Sequence, residues 1–478
     1  MNSRFRGRKR IDRISILPDD VLVHILSFLP TKHAVGTSIL SHRWQYLFTQ
    51  VTNLDFDESL MFHPRNSIED LVSMRTHFEL LQKNQNHGFP HLKLACSFKD
   101  FVDRVLMLNK SPNISKFRLK CSWGCDCSNL NVWIRFALLH DVIELDILTK
   151  EYKSCLLPTS LYTSQTLVAL KLHGKFEMKF PASTHLPHLK SLQLFCVDFS
   201  GPYSLNGLIA GCPLLEDLTV GGAWEDVIDI NISSARLTSL TMNFRESFCS
   251  EYHRSSVVLD LPNLHRFKYV DRLASNYSLK NLNLLEEARI EVLLNTDDFS
   301  LWSTFCGSVL GLLNGVSNAK HLYVCGKCME AIQCEKYTLP TFHNLSRLEL
   351  GWSRCVNWRV LLCDFLQSAP ILEHLAFSKG LFHRQSDCDD YEDNNFSSNQ
   401  ETPVCLSSNI KTIMIGSFHG FEEEVKIARY FLKNGKFLEK LILECFIRSD
   451  EEERELKKLL KKLLKAEKAS KECIIEII

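Results

Sequence analysis

Two short cysteine clusters are the residues of this sequence whose types and spacing could do chemistry. The first, CSWGCDC, contains Cys121, Cys125 and Cys127, and the second, CGKCMEAIQC, contains Cys325, Cys328 and Cys334. Thiolates at such spacing are common zinc ligands, and the second cluster holds a true C-x-x-C pair. No second pair follows at the spacing of a zinc ribbon, and Cys325 also belongs to a predicted strand. Zinc binding is therefore the weaker interpretation, and buried reduced thiols are the favoured one.

Nothing else in the sequence has the spacing of a catalytic or nucleotide-binding motif. The 18 histidines could in principle serve a Cys–His hydrolase, but no nucleophile elbow or glycine-rich oxyanion loop surrounds any cysteine. Neither a G-x-x-x-x-G-K-S/T loop nor a G-x-G-x-x-G fingerprint is present. We therefore predict a non-enzymatic chain with no catalytic residues, no bound cofactor and no metal.

The composition is that of a folded protein without a global charge bias. Of the 478 residues 45% are apolar, and 56 Lys and Arg balance 56 Asp and Glu, so no overall field favours nucleic acid or an anionic membrane. No apolar run approaches the ~18–20 residues that span a bilayer. The start of the chain, RFRGRKR, is basic but lacks the apolar stretch of a secretory signal. We expect an intracellular protein, in the nucleus, the cytoplasm or both.

Residues 1–11 are predicted to form a disordered basic tail. The RGRKR within this tail fits a nuclear import signal, a nucleic-acid contact or a simple solvated tail, and the sequence leaves these open.

A compact apolar segment, ILPDDVLVHILSFLPTKHAVGTSILSHRWQYLF, lies at residues 16–48. Pro18 suits the first turn of a helix, and Pro30 cannot continue that helix. Between them, four aliphatic residues fall at helical spacing and share one face: Leu22, Ile25, Leu26 and Leu29. This spacing predicts a short amphipathic helix.

Two further short helices are predicted in the same segment. Thr31 is expected to cap the second, and the third is expected to start at Ser41 and to carry Trp44 and Leu47. Three helices of this length cannot bury all their apolar residues among themselves. Another protein surface is therefore expected to cover part of them.

The central part of the chain repeats one apolar pattern. Large apolar residues spaced x-x-L-x-L recur about a dozen times, at intervals of roughly 21–28 residues that are typical of leucine-rich repeats. The copies are NISKFRL, VIELDI, LVALKL, HLKSLQL, LLEDLTV, RLTSLTM, NLHRFKY, NLSRLEL and ILEHLAF, with weaker ones near Leu285 and Leu322. Each copy predicts a short strand that stacks beside its neighbours in a parallel sheet. Residues 111–383 are therefore predicted to form a solenoid of degenerate repeats.

Three segments flank this array. Residues 51–110 are predicted to connect the helices to the repeats, with an edge strand at VTNLDFDES and helices at SIEDLVSMRTHFELL and FKDFVDRVLMLN. Residues 384–402 are polar and acidic and predict a flexible loop. Residues 403–478 read as strand, helix, strand, helix, strand, and are expected to cap the apolar end of the array.

The two ends of the chain resemble known domains. Residues 12–48 closely resemble the F-box, through RISILPDDVLVHILSFLPTK and then Ser38, Leu40, Ser41, Arg43, Trp44 and Leu47. Residues 403–478 resemble the FBD domain of plant F-box proteins, through PVCLSSNIKTIMI, Gly420, Glu424 and YFLKNGKFLEKLIL. The residues between them are similar to the leucine-rich repeats of the same family. The resemblance implies an α/β architecture: a three-helix F-box at 12–50, a repeat solenoid and an α/β FBD cap.

This resemblance also implies a function. F-boxes dock onto a Skp-type adaptor, which links them to a cullin–RING ubiquitin ligase, and the repeats hold a protein substrate. The chain would then be the substrate-recognition subunit of an SCF-type E3 ligase. Composition adds the expectation of no membrane partner and disfavours a nucleic-acid partner. The implied adaptor-binding residues are Leu17, Pro18, Leu22, Ile25, Leu26, Leu29, Pro30 and Trp44, of which Trp44 fits an internal packing role equally well.

A second interpretation stays open on sequence alone. Adaptor docking and repeat-mediated binding are separable, so the chain could be a leucine-rich-repeat scaffold whose F-box is a relic.

Overall fold

The computed structural model describes most of the chain in separate stretches. These are residues 14, 16–61, 90–122, 125–150, 154–198, 205–222, 229–244, 256–272, 274–293, 302–332, 337–351, 358–381, 402–445, 456, 459–461 and 463–478. The predicted basic tail, the helix predicted at SIEDLVSMRTHFELL and all but the last residue of the predicted acidic loop lie outside them. The chain divides into two compact units, Met1–Leu215 and Glu216–Ile478.

The first unit begins with the short helices that the sequence predicts. Helix α1 spans Asp19–Leu26 and helix α2 spans Thr31–Gly36, with Pro18 and Pro30 at the respective N-cap positions. The third predicted helix is a 3₁₀ helix, Trp44–Gln50, preceded by a 3₁₀ turn at Thr37–Ile39. Asp19 and Asp20 lie in the first turn of α1, where the helix dipole favours negative charge.

A parallel sheet follows these helices. Its strands are β1 (Asn53–Asp57), β2 (Lys116–Cys121), β3 (Glu144–Thr149), β5 (Ala169–His173) and β7 (Ser191–Phe195). Two further strands, β4 (Cys155–Leu156) and β6 (Phe176–Glu177), form a small separate sheet. The sheet order is β1-β2-β3-β5-β7, and β4 pairs with β6. The helices of this part are α3 (Pro90–Leu108), α4 (Cys127–Leu139) and α5 (Leu205–Ala210), with 3₁₀ helices at Glu58–Met61 and Thr159–Thr163.

The second unit contains a longer parallel sheet and a second, three-stranded one. Its strands are β8 (Asp217–Gly221), β9 (Asp229–Ser233), β10 (Ser239–Asn243), β11 (Ser256–Asp260), β12 (Arg266–Asp271), β13 (Asn276–Lys280), β14 (Glu287–Val292), β15 (His321–Val324), β16 (Arg347–Leu350), β17 (His374–Phe377), β18 (Thr412–Phe418), β19 (Lys440–Cys445) and β20 (Ile474–Ile477). The long sheet has the order β8-β10-β12-β14-β15-β16-β17-β18-β19-β20, and the short one β9-β11-β13. The helices are α6 (Trp302–Gly315), α7 (Gly326–Ile332), α8 (Trp358–Ser368), α9 (Val404–Ser408) and α10 (Glu422–Asn434).

The predicted repeat copies coincide with strands of these sheets. The second apolar residue of each copy lies in register with that of the next strand, and all these side chains are buried. In the first unit they are Phe117, Leu145, Leu170 and Leu192. In the second unit they are Leu218, Leu240, Phe267, Ala288, Leu322, Leu348 and Leu375. A continuous apolar row of this kind stabilises the stack, because each strand buries its residue against the next. The prediction of stacked leucine-rich repeats is confirmed.

The N-terminal end of the array agrees with the expected edge strand, whereas the C-terminal end differs from the sequence-based expectation. Strand β1, in the segment predicted as a connector, pairs in parallel with β2 and is the first strand of its sheet. At the other end, Leu375 of β17 lies beside Ile413 of β18 in a parallel pair. The C-terminal segment, expected to be a capping unit, therefore continues the repeat sheet through β18, β19 and β20. Lateral strand pairing is non-local, so sequence patterns could not show it.

Thr31 has a different role from the predicted helix cap. Pro30 takes the N-cap position of α2, and the buried Thr31 hydroxyl accepts a hydrogen bond of 2.8 Å from the backbone N–H of Asp55 in β1. The side chain thus ties the N-terminal helices to the first strand of the sheet.

Replacing Thr31 with valine is expected to lower the free energy of unfolding by about 1–3 kcal/mol. Valine keeps the shape of the side chain but leaves the Asp55 N–H without this acceptor. Urea unfolding measures the loss, and hydrogen exchange over residues 53–57 should accelerate. Thr37→Val is the matched control, because the Thr37 hydroxyl donates to the Ala34 carbonyl of the same turn and thus makes a local bond. Equal losses in the two variants would contradict the assignment.

A buried carboxylate closes the loop between β18 and α10. One oxygen of Glu424 accepts three backbone N–H groups, from His419 at 3.0 Å, Gly420 at 2.7 Å and Phe421 at 3.0 Å. Its other oxygen is buried without a hydrogen-bond partner among the described residues. Gly420 has φ +80°, a backbone conformation that favours glycine, and a Cβ there would also force the Leu456 side chain, at 2.8 Å, to shift.

The pKa of Glu424 makes the stability of this loop depend on pH. Burial raises the pKa from 4.5 to about 7, against the opposing effect of the three N–H donors. Because the pKa of Glu424 is higher in the folded than in the unfolded state, this group contributes its full stabilisation of the fold below pH 4.5. That contribution is lost as the pH rises through about 7. Relative to Glu424→Gln, the native chain should therefore lose up to about 3 kcal/mol of stability across this window.

Urea unfolding at a series of pH values measures this difference. Glu422→Gln, which changes an exposed carboxylate of the same helix, is the control and should leave the pH profile of the native chain unchanged. A Glu424→Gln profile parallel to the native one would contradict the prediction.

Candidate functional site

The N-terminal helices enclose a small apolar core of their own. Leu22 and Leu26, one turn apart on α1, pack with Trp44 and Leu47, and the cluster is completed by Ala34, Phe48 and Val51. Leu22 is 0% and Leu26 1% exposed, and Trp44 is 6% exposed. Of the four side chains that sequence spacing placed on one face, Leu22 and Leu26 thus lie in this core and Leu29 packs against it, whereas Ile25 does not.

Arg43 fixes the third helical segment against the start of α1. Its Nε lies 2.9 Å and its Nη2 2.6 Å from the same carboxylate oxygen of Asp19, and Nη2 also donates to the backbone carbonyl of Leu17. Both side chains are partly exposed, so the Coulombic contribution is modest. The contact sets the position of the residues before α1, including the exposed Pro18.

A second set of apolar side chains in the same N-terminal segment faces outward. Ile25 is 41% exposed, and Phe28, just after the end of α1, is 74% exposed. Its other members are also exposed: Ile14, Ile16, Val21, Ile39, Leu40 and Tyr46. We call this set, with Ile25 and Phe28, the exposed apolar set. Large apolar side chains exposed at this density typically mark a surface that a partner covers.

The eight residues implied as adaptor contacts fall into three classes in this structure. Leu22, Leu26 and Trp44 lie in the internal core and have almost no exposed surface. Leu17, Leu29 and Pro30 are half-buried, and Leu17 and Leu29 pack against that core. Pro18 and Ile25 are exposed. For Trp44, which sequence left between two roles, the observed environment is the internal one.

Sequence reasoning missed most of the exposed apolar set, although a signal for part of it existed. Val21, Ile25 and Phe28 also follow helical spacing, at i, i+4 and i+7. This second stripe shares Ile25 with the predicted one, so spacing alone could not decide which stripe faces inward.

Further hydrogen bonds, besides that of Thr31 to β1, attach the N-terminal helices to the segments that flank the first strands. The Thr49 carbonyl accepts from the Lys110 N–H at 2.7 Å, and the Val51 carbonyl accepts from the Asn109 side chain at 3.3 Å. Lys32 donates to the Leu60 carbonyl. A partner held by the helices would therefore be held at a defined position relative to the first strands.

The open face of the sheet in the first unit carries paired charges. Arg118 of β2 lies between Asp55 of β1 at 3.7 Å and Asp146 of β3 at 3.5 Å, and Lys120 lies 2.9 Å from Asp57. Burial raises the pKa of Asp55 despite the neighbouring Arg118. Beside these rows, half-buried Leu148, His173 and Phe195 stand in register on β3, β5 and β7.

The open face of the long sheet in the second unit has its own cluster of polar and aromatic side chains. The Arg289 guanidinium lies 3.7 Å from the centre of the Tyr323 ring and 2.8 Å from a Glu291 carboxylate oxygen. A shallow depression on this face is lined by Ser239, Thr241, Arg266, Lys268 and Glu287. Both faces offer charged and aromatic groups of a kind that protein surfaces use for recognition.

The cysteine clusters have the following environments. Cys121 and Cys125 are buried and Cys127 is half-buried, whereas Cys334 lies outside the described residues. Within the part of the chain that the structure describes, no group of three or more His, Cys, Asp or Glu side chains is arranged to hold a metal ion.

Among those same residues, no helix is long and apolar enough to cross a membrane.

Comparison with protein-family models assigns three regions of the chain. An F-box domain model matches residues 14–55, a model described as "FBD-associated F-box protein At5g56370, LRR repeats" matches residues 130–292, and an FBD model matches residues 398–443. Whole-chain relatives from Arabidopsis thaliana agree. F-box/LRR-repeat protein At3g59200 is 33% identical over 98% of this chain and 88% of its own length, and F-box/LRR-repeat protein At4g14096 is 32% identical over 98% and 95%. The chain belongs to the F-box/LRR-repeat family.

The family assignment gives names to the parts described above. The F-box comprises the N-terminal helices with their internal core and exposed apolar set, and its matched region ends within β1. The FBD match contains α9, β18 and α10 and ends in β19, so Gly420 and Glu424 belong to the FBD. The resemblance identified from sequence is confirmed for the F-box, the repeats and the FBD. The relatives are plant proteins, as the resemblance implied.

Proposed function

We propose that this chain is the substrate-recognition subunit of an SCF-type E3 ubiquitin ligase. In this role the F-box binds a Skp-type adaptor, which connects it to a cullin–RING ligase, and the open strand faces bind a protein substrate. The chain supplies no catalytic group, and it acts in the nucleus, the cytoplasm or both. The observation that carries the proposal is the exposed apolar set, because these side chains lie in an F-box and have no cover within the described residues.

The attachment of the F-box to β1 supports a receptor role. Thr31, Thr49 and Lys32 all bond to the sheet or to the residues around it. A substrate held on the first strands would therefore stay at a nearly constant distance from the adaptor. Ubiquitin transfer then gains from a high effective concentration of substrate near the ligase.

Co-purification of the tagged full chain with a plant Skp-type adaptor and a cullin tests the proposal. A stoichiometric complex that survives gel filtration supports it, and the next step is to identify proteins that accumulate when the complex cannot form. Circular dichroism and gel filtration of the chain alone establish that it is folded. A well-folded chain that captures neither adaptor nor cullin would overturn the proposal and favour the scaffold with a relic F-box.

A further inference from the structure

Two cysteines of the C-x-x-C motif meet at the junction of a strand and a helix. Cys325 directly follows β15, and Cys328 lies in the first turn of α7, where it is buried. The two sulfur atoms are 3.6 Å apart. A disulfide needs a separation of about 2.05 Å, so the sulfurs have to approach by roughly 1.5 Å, which side-chain rotation can supply.

The surroundings make the two thiols unequal. The Cys325 sulfur accepts a hydrogen bond of 3.1 Å from the Val292 N–H at the end of β14. The hydrogen bond from Cys328, together with the backbone donors, lowers the pKa of Cys325 to about 7. Burial raises the pKa of Cys328. A thiolate beside a protonated partner thiol is the arrangement found in C-x-x-C redox sites.

We propose that Cys325 and Cys328 form a redox-active dithiol that closes to an intramolecular disulfide when it meets a small peroxide. The inference is independent of adaptor binding, and it rests on the contact between the two sulfurs, the polar surroundings of Cys325 and the burial of Cys328.

The reaction proceeds in two balanced steps. The Cys325 thiolate attacks one oxygen of hydrogen peroxide, the O–O bond breaks, hydroxide leaves and Cys325 becomes a sulfenic acid. The Cys328 sulfur then attacks the Cys325 sulfur, the S–O bond breaks and water leaves with the Cys328 proton. The dithiol gives up two electrons, which reduce the peroxide. A reducing thiol such as dithiothreitol reverses the change by exchange.

The size of the oxidant follows from the packing around Cys325. The residue is partly buried, and a Cβ at Gly351 would come within 2.9 Å of the Cys325 Cα, so the next repeat lies directly against it. Peroxide can reach a sulfur in such a site, whereas a bulky disulfide such as oxidised glutathione is hindered.

Disulfide formation also changes the edge of the neighbouring strand. As the Cys325 sulfur moves toward Cys328, the Val292 N–H loses its acceptor. Arg289 and Glu291 of the same strand, with Tyr323 of β15, form the cluster on the open face. The oxidation state of the dithiol is therefore coupled to the strand ends beside a candidate substrate surface.

Peroxide treatment of the reduced full chain tests the proposal. We expect a few equivalents of hydrogen peroxide to remove the mass of two hydrogen atoms, with recovery after dithiothreitol. Trypsin cleaves after Lys327, so the disulfide should link peptide 321–327 to peptide 328–336. The second peptide also contains Cys334, and the variant Cys334→Ser must therefore keep the link. Oxidised glutathione at the same concentration should react at least about 10-fold more slowly.

Three variants separate this dithiol from other thiol chemistry. Cys325→Ser and Cys328→Ser should each abolish the link, whereas Cys212→Ser, which changes an isolated buried cysteine whose pKa burial raises to about 12, should leave it intact. Oxidation that stops at a Cys325 sulfinic acid in the native chain, or that links Cys325 to Cys334, would overturn the proposal.

The pH dependence of alkylation provides a readout that does not depend on disulfide formation. Iodoacetamide should label Cys325 in the native chain with a midpoint near pH 7. In Cys328→Ala, which removes the hydrogen-bond donor, the midpoint should move upward toward the ordinary thiol value by at least about one pH unit. An unchanged midpoint in this variant would contradict the pairing of the two thiols.

Discussion

The double variant Ile25→Asp/Phe28→Asp is expected to weaken adaptor binding at least about 100-fold without unfolding the chain. Both side chains are exposed, at 41% and 74%, so aspartate at either position is solvated in the free protein. In the complex the two carboxylates would be pressed against an apolar groove without partners, which is strongly unfavourable. Calorimetry or interferometry with a purified Skp-type adaptor measures the change, and thermal unfolding shows that the fold persists.

A matched control comes from another helix of the same unit. Val132 of α4 is 62% exposed and lies outside the F-box, so Val132→Asp introduces the same charge on an exposed apolar site. It should bind the adaptor as the native chain does. An adaptor affinity that falls equally in both variants, or in neither, would show that the exposed apolar set is not the docking surface.

Replacing Trp44 with alanine is expected to destabilise the F-box by about 3–5 kcal/mol, the usual loss for a large buried aromatic residue. Trp44 shares one buried cluster with Leu22, Leu26 and Leu47, and removing its ring from a close-packed core leaves a cavity. The F-box should open locally before the sheet unfolds, and adaptor binding should fall as a result. Hydrogen exchange and limited proteolysis over residues 14–51 measure the opening.

Tyr46→Ala is the control for this prediction, because Tyr46 is an exposed aromatic residue of the same 3₁₀ helix. Its effect on stability should stay within about 0.5 kcal/mol. If Trp44→Ala binds the adaptor weakly while exchange stays as slow as in the native chain, Trp44 acts as a direct contact and the core assignment is wrong.

These two predictions separate surface from core within one short segment. Aspartate at Leu22 or Leu26 would place a charge inside the F-box core and unfold it. A loss of binding in such a variant would therefore say nothing about the docking surface. Variants of Ile25 and Phe28 avoid this ambiguity, because the native fold already exposes both side chains.

The repeat array was determined by the sequence because its signal is local and recurs. Each copy carries its own alternation, as in Leu189, Leu192 and Leu194, and all three of these side chains are fully buried. In the C-terminal segment the predicted strand, helix and strand are found as β18, α10 and β19, and the predicted last strand as β20, whereas most of the predicted second helix lies outside the described residues and α9 was not predicted. A pattern that repeats about a dozen times is also hard to produce by chance, which is why the solenoid could be predicted without a structure.

The placement of functional side chains depended on tertiary packing. Along α1 and the residues just after it, two apolar stripes share Ile25, and packing against the rest of the F-box core places Leu22 and Leu26 inward and leaves Phe28 exposed. Likewise Thr31 bonds to Asp55, which lies in a strand of the sheet. A helix-capping pattern considers only neighbours in sequence, so it could not reveal that contact.

The sequence by itself determined the family, the repeat period and the identity of the short helices, because each of these rests on residues close together in the chain. Only the tertiary structure decided that the FBD strands continue the repeat sheet, that the exposed apolar set lies on the F-box surface, and that the sulfurs of Cys325 and Cys328 are 3.6 Å apart. These depend on which strand pairs with which and on which helix face is covered. Long-range packing fixes such choices, and it leaves no periodic trace in the sequence.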